Sequence, residues 1–169
     1  AYTVFANEGE MKPVSLLKLN EVPVGHQVFS AQVANDVKAM LELVIQPGGT
    51  APKAQVAGYR VGGKTGTAQA VTIGQKDKYD AKKIDEHQRD HALYMAFAPL
   101  QKPTIALAIV VENAGFGAEH AAPIARRVFD YYLENKYPNA EDMAATQLGK
   151  AAAPIGKPLS ANDVNFFAK

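Results

Sequence analysis

The sequence predicts an α/β fold in which an antiparallel sheet of sequential strands carries helices on its faces. Three observations predict it. Apolar residues recur at helical spacing in two stretches, one early and one late. Between these stretches lie strand-length runs of glycine, β-branched and aromatic residues. The last two runs, His91 to Ala98 and Thr104 to Val111, are separated only by Pro99 to Pro103, which fits an antiparallel hairpin. Sequential strands bracketed by helices pack as a sheet with helices against it.

Taken in order, Ala1-Tyr2-Thr3-Val4-Phe5-Ala6-Asn7-Glu8-Gly9 reads as the last turns of a helix, stopped by Asn7 to Gly9. With no Met, signal peptide or cap before it, this opening is expected of a piece cut from a longer chain. Pro13 to Val24 is apolar but interrupted by Pro13 and Pro23, giving an extended crossing or a short edge strand. A helix follows from about Val28 to Ile45. Val33, Val37, Met40, Leu41 and Val44 form its expected apolar face, Ser30 its cap and Pro47-Gly48-Gly49 its stop. Thr50 to Val56 is a loop, and Tyr59 to Val71 reads as a strand that something approaches closely. Gly74 to Asp90, rich in lysines and acids, is expected to be a long solvated loop.

The strand Ile105 to Val111 is apolar throughout, which predicts cover on both faces. Gly115-Phe116-Gly117 is a loop. Glu119 to Asn135 is a helix, with Ile124, Val128, Tyr131 and Tyr132 repeating at helical spacing. Residues 1–135 thus form one folded unit, and the Ala-, Pro- and Lys-rich residues 136–169 are expected to be a loosely ordered tail.

Composition removes several function classes. The formal charge of the 169 residues is +1, from 18 basic and 17 acidic side chains, so nothing points to nucleic acid as a partner. Cysteine is absent, which excludes disulfides and thiolate metal sites. No apolar run approaches the roughly 18 residues needed to span a bilayer.

Chemistry concentrates in Gly58-Tyr59-Arg60-Val61-Gly62-Gly63-Lys64-Thr65-Gly66-Thr67. Formally, Gly58 to Thr65 satisfies the phosphate-loop pattern of a nucleotide binder. That loop needs a buried strand before it and a helix opening at Lys-Thr. Here Pro47 to Pro52 supplies no strand, and Gly66 to Gly74 is poor helix material. The stronger reading places Lys64-Thr65-Gly66-Thr67 on a strand. Lysine supplies positive charge beside a nucleophile and toward a substrate carboxylate. Thr65 and Thr67, two apart, share one strand face and can bind that carboxylate. Gly66 lets a substrate backbone lie flat, and the Thr67 N–H is a candidate oxyanion donor.

The wider pattern is more specific. Gly62 to Gln69, a polar insertion, Arg89-Asp90-His91-Ala92-Leu93-Tyr94-Met95-Ala96-Phe97-Ala98-Pro99, then Ile105 to Asn113 and Ala122 to Asp130 resemble class B penicillin-binding proteins. The nearest resemblance is to the elongation-type penicillin-binding protein 2. Tyr2 to Gly9 is similar to that family's helix before its late crossing, so the likeness covers about residues 1–135. It implies the penicillin-recognising, β-lactamase-like fold, of which this chain supplies the late strands. It also implies a peptidoglycan D,D-transpeptidase acylated by β-lactams, with no cofactor and no metal. Lys64, Thr65, Gly66 and Thr67 would bind substrate, with Lys64 and Thr67 also catalytic. The implied partners are stem peptides, β-lactams, the upstream part of the same protein and membrane proteins of the elongation machinery. The implied place is the periplasmic face of the inner membrane.

Such enzymes also need a serine followed three positions later by lysine, and an S-x-N loop, both upstream. Ser15-Leu16-Leu17-Lys18 and Ser160-Ala161-Asn162 match only formally. Ser15 lies in an extended stretch, where residues three apart point to opposite faces. It is also too near Lys64 for the family's intervening helical subdomain. Ser160 is on the wrong side of the tetrad. The nucleophile is therefore expected outside this sequence, and a non-catalytic peptide-binding or partner-docking piece is the alternative description of the chain alone. His87, Arg89, Asp90 and His91 read as a hydrogen-bonded start of a strand rather than a metal site. His26, His120, Glu112 and Asn113 read as structural, and Tyr131 with Tyr132 as packing.

Overall fold

Three strands make the sheet that carries the site: β3 (Gly62–Ala68), β4 (His91–Ala98) and β5 (Ile105–Val111), in the order β3-β4-β5. Preceding them are α1 (Tyr2–Ala6), β1 (Glu10–Met11), β2 (His26–Gln27) and α2 (Ala31–Leu43); following them are α3 (Gly117–His120), α4 (Ala122–Glu134), β6 (Lys136–Tyr137) and β7 (Leu159–Ser160). The computed structural model describes residues 1–56, 58–70, 84–140 and 144, and the backbone of Leu159–Ser160. The predicted strand residue Val71 and most of the 74–90 segment lie outside the described residues. So does most of 136–169; within it, Lys136–Tyr137 pairs with Leu159–Ser160.

Both sheet pairs are antiparallel, with Lys64 opposite Met95, Thr65 opposite Tyr94, and Tyr94 opposite Ile109. Because side chains alternate along a strand, the sheet has two distinct faces. Ala92, Tyr94, Ala96 and Ala98 of β4 are buried on one face against Ala121, Ala122, Ala125 and Phe129 of the late helices. Three alanines on the strand facing three on the helices let these layers approach closely, and Phe129 fills the remaining space. The other face is covered at one end, where Phe97 and Leu100 meet Leu41, Val37 and the Tyr2–Phe5 turn of α1.

Strand β5 departs from expectation. Ile105, Leu107, Ile109 and Val111 are half-buried, but Ala106, Ala108 and Val110 are exposed. Cover on both faces is therefore not found among the described residues. A continuous apolar run reports only that neither face is polar, and here the second face carries two alanines whose exposure costs little.

The helices are where predicted but present different faces. Ser30 caps α2, its Oγ accepting the Val33 N–H at 3.2 Å. Its buried stripe is Ala34, Lys38 and Leu41, while Val33 and Met40 are exposed. Lys38 is only 6% exposed, its aliphatic stem covering apolar surface that the sequence reading had assigned to branched residues. In the same way α4 buries Ala122, Ala125 and Phe129, and leaves Ile124, Val128, Tyr131 and Tyr132 at least 40% exposed. Pattern reading favours large apolar residues, whereas close helix-to-sheet packing favours small ones. The single helix expected from Glu119 to Asn135 is two: α3 ends at His120, and α4 begins with Pro123 in its first turn. Tyr131 packs edge-on against Tyr137, with ring centroids 5.0 Å apart.

Two polar contacts hold the approach to β3. Arg60 makes a two-pronged salt bridge to Glu42 of α2, and this guanidinium holds the Glu42 carboxyl below its usual range. Tyr59 donates its hydroxyl proton to Asp130 Oδ1 at 2.7 Å, while Arg126 Nε stands 3.7 Å from Asp130 Oδ2. Burial raises the Asp130 pKa, against the lowering effects of the Tyr59 bond and of Arg126. Tyr59→Phe removes the donor from a buried carboxylate and is expected to cost about 1–3 kcal/mol by urea denaturation.

The same carboxyl makes stability depend on pH. Because its pKa is higher folded than unfolded, the folded chain binds the proton more tightly. Its contribution is full below the ordinary value of 3.8 and is lost as pH rises through the raised value. Stability measured against Asp130→Asn is expected to fall across that window; a flat difference would show that Asp130 does not titrate there.

Candidate functional site

Strand β3 is an edge strand, so one side of its backbone pairs with β4 and the other is free of strand partners among the described residues. Thr65 and Thr67 share one face, with Lys64 and Gly66 on the other. Lys64 Nζ donates to the Thr65 carbonyl oxygen at 2.8 Å, so that oxygen is turned outward from the β3-β4 ladder. In an antiparallel strand a residue's N–H and C=O point the same way and the direction reverses at each residue. The Thr67 N–H is accordingly directed to the same free edge. Thr65 Oγ1 lies 3.3 Å from Thr50 Oγ1, where either hydroxyl can donate.

This arrangement excludes the phosphate-loop geometry. Lys64 is the third residue of a seven-residue strand, and no helix opens at Lys64-Thr65. The row of backbone N–H groups that a helix N-terminus would turn toward a phosphate is absent from this segment.

The opposite wall comes from Phe116 and the short helix α3 that it precedes. Lys64, Thr65, Gly66 and Thr67 face Phe116, Gly117, Ala118 and Glu119 across a cleft of about 470 Å³, with Thr50 also in its lining. Gly117 sets the width. A Cβ there would stand 2.1 Å from the Leu93 carbonyl oxygen and 2.6 Å from that of Gly66, so only glycine lets the loop seat against both strands.

Three further hydrogen bonds lock this wall to the sheet. Asp90, buried at the start of β4, accepts the Ala70 N–H on Oδ1 at 3.1 Å and the Gly115 N–H on its backbone carbonyl at 2.7 Å. His91 Nδ1 accepts the Asn113 N–H at 3.0 Å, which assigns its ring proton to Nε2. The end of β3, the start of β4 and the loop after β5 are therefore fixed together. No cluster of three or more metal-ligating side chains occurs among the described residues.

The structure thus brings Lys64, Thr65, Gly66 and Thr67 to one cleft whose described lining does not include Ser15. Ser15 lies outside any helix, just before a bend at Leu16 and Leu17, where its Oγ accepts the Leu17 N–H at 3.0 Å and donates to the Leu17 carbonyl at 2.9 Å. Ser30 is occupied as the α2 cap, and Ser160-Ala161-Asn162 falls almost wholly outside the described residues. Among the described residues, no serine lines the cleft. The sequence reading missed Thr50 and the Phe116–Glu119 wall. An aromatic residue between two glycines was the available signal, since such a loop can present a ring close to backbone.

Comparison with known proteins decides the family. The model of the penicillin binding protein transpeptidase domain matches residues 1–130, well over half of the chain. The chain belongs to that transpeptidase family. Among its relatives, the peptidoglycan D,D-transpeptidase MrdA of Haemophilus influenzae is 33% identical over 154 residues, spanning 83% of this chain and 24% of that protein. MrdA of Escherichia coli is 34% identical over 145 residues, spanning 84% of this chain and 22% of that protein. The transpeptidase domain of Burkholderia pseudomallei penicillin-binding protein 3 superposes with a TM-score of 0.58 at 34% identity, over 78% of this chain and 40% of that one. The chain thus spans about a quarter of its curated transpeptidase relatives. The expected fold, the late strands and flanking helices of the penicillin-recognising family, is the one observed. No helix among the described residues is long and apolar enough to cross a membrane.

Proposed function

We propose that this chain forms the substrate-binding wall of a peptidoglycan D,D-transpeptidase of the cell-elongation machinery, with the nucleophilic serine supplied by the rest of a longer protein. The observation that carries this reading is the cleft itself: Lys64, Thr65 and Thr67 on a free strand edge, facing Phe116 and α3, with no serine among the described lining residues. The serine Oγ attacks the penultimate D-Ala carbonyl carbon, and the terminal D-Ala leaves with a proton. The resulting acyl ester is then transferred to the amine of a neighbouring stem peptide.

Lys64 stabilises charge beside the serine. The Thr65 and Thr67 hydroxyls hold the carboxylate of the substrate or of a β-lactam. The Thr67 N–H is one oxyanion donor, which its orientation toward the free edge favours. An extended peptide lying along that edge would gain main-chain hydrogen bonds as an added strand. The whole protein acts at the periplasmic face of the inner membrane and docks with membrane proteins of the elongation machinery.

The absence of serine from the described lining also favours a second description, of the isolated chain alone, as a peptide-docking edge without turnover. Both readings are tested with a stem peptide ending in D-Ala-D-Ala. The longer protein is expected to release D-Ala and form cross-linked dimer, with both products blocked by penicillin, and the isolated chain to do neither. A folded longer protein that gives no D-Ala would rule out the transpeptidase reading.

A further inference from the structure

The two walls of the cleft carry opposite charge. Lys64 stands on the strand wall, and Glu119 is the acidic residue of the loop wall. Among the described residues the Glu119 carboxylate has one ion-pair contact, the neighbouring His120 Nε2 at 3.9 Å, which is charged only when that imidazole is protonated. The Glu119 side chain is 58% exposed and so remains available to a ligand in the cleft. Its backbone lies two residues beyond Gly117, which seats against Leu93 and Gly66, and Glu119 and Thr67 line the same cleft. A cleft with a cation on one wall and an anion on the other suits a ligand that brings both charges.

We propose that Glu119 recruits the acceptor amine, drawing the ammonium group of the second peptide toward the acyl ester. This rests on the transpeptidase reading above and assigns the loop wall its part in that reaction. Lys64 and the threonines hold the donor's carboxylate during acylation. Once D-Ala has left, the remaining charged side chain of the cleft wall that favours a cation is Glu119. The arriving ammonium gives one proton to water, and its nitrogen then bonds to the acyl carbon. The ester bond to serine breaks, and a second amine proton ends on the serine Oγ. Glu119 takes no proton in this scheme; it raises the local concentration of the acceptor relative to water.

The test uses the longer protein, acylated by a D-Ala-D-Ala donor peptide, with Nα-acetyl-lysine amide as acceptor. The readout is the ratio of amide product to hydrolysed donor, which divides out any change in acylation or in the folded fraction. Glu119→Lys is expected to lower the ratio about 5–10-fold and Glu119→Gln about threefold, the size expected of a partly exposed charge. Glu119→Asp is expected to restore most of it. Raising salt is expected to move the wild-type ratio toward that of Glu119→Gln. Normal acylation with an unchanged ratio in both Glu119→Lys and Glu119→Gln would overturn this inference alone. Failure of the folded wild-type protein to acylate would overturn the transpeptidase reading, and this inference with it.

Discussion

Lys64→Ala in the longer protein is expected to slow acylation by a reporter penicillin about 10²–10³-fold, the usual loss when one preorganised electrostatic group is removed from a reacting centre. The loss follows from its position. Lys64 sits in mid-strand, where its backbone is held by the β3-β4 ladder, and its ammonium reaches the free edge beside the Thr65 carbonyl. Lys64→Arg is expected to rescue poorly, because a planar fork cannot take the place of a compact ammonium in a narrow cleft. Thr67→Val is a useful contrast. It removes a hydroxyl but keeps the peptide N–H, so carboxylate binding should weaken more than the rate of the bound complex. Equal losses of both would show that the side chain, not the N–H, serves the transition state.

Gly117→Ala is expected to be nearly as damaging, by a different route. The added carbon meets two backbone oxygens, which cannot swing aside as a side chain could. The Phe116–Glu119 wall must move outward or the β3-β4 ladder must yield. The expected cost is about 3 kcal/mol of stability by chemical denaturation. Displacing one wall of the cleft by about an ångström is also expected to slow acylation roughly 10²-fold. Gly48→Ala provides the control. Gly48 has a positive φ, of 90°, which Gly117 lacks, and a Cβ there meets nothing within 4 Å. It should cost only about 1 kcal/mol and leave acylation unchanged. If Gly117→Ala behaves like Gly48→Ala, the close approach does not set the cleft.

What could be read from the sequence, and what could not, follows from the kind of signal each feature leaves. The place of Lys64 to Thr67 on a strand was legible because glycine and β-branched threonines alternate there. The strands β4 and β5 and their hairpin were legible from composition and from the short turn between them. Helix positions were also legible, but their faces were not. Ala34, Ala122 and Ala125 carry weak hydrophobic signals, although small side chains let helices come close to other elements. The exposure of one face of β5 could not be read, because an apolar run looks the same whether one face or both are covered. The loop wall was invisible for another reason. Gly115, Phe116 and Gly117 acquire their role only when Asp90 and His91, more than twenty residues earlier, anchor the loop through its backbone. Bonds made through the backbone N–H groups of a loop leave no pattern in a single sequence.

The most direct test of the account is intact-mass analysis after incubation with a reporter penicillin, followed by peptide mapping, on this chain alone and on the longer protein. The account predicts one acyl adduct on the longer protein, at a serine outside these 169 residues, and none on the isolated chain. An adduct on Ser15, Ser30 or Ser160 would contradict it, because the nucleophile would then lie within the chain and the cleft described here would not be where it acts.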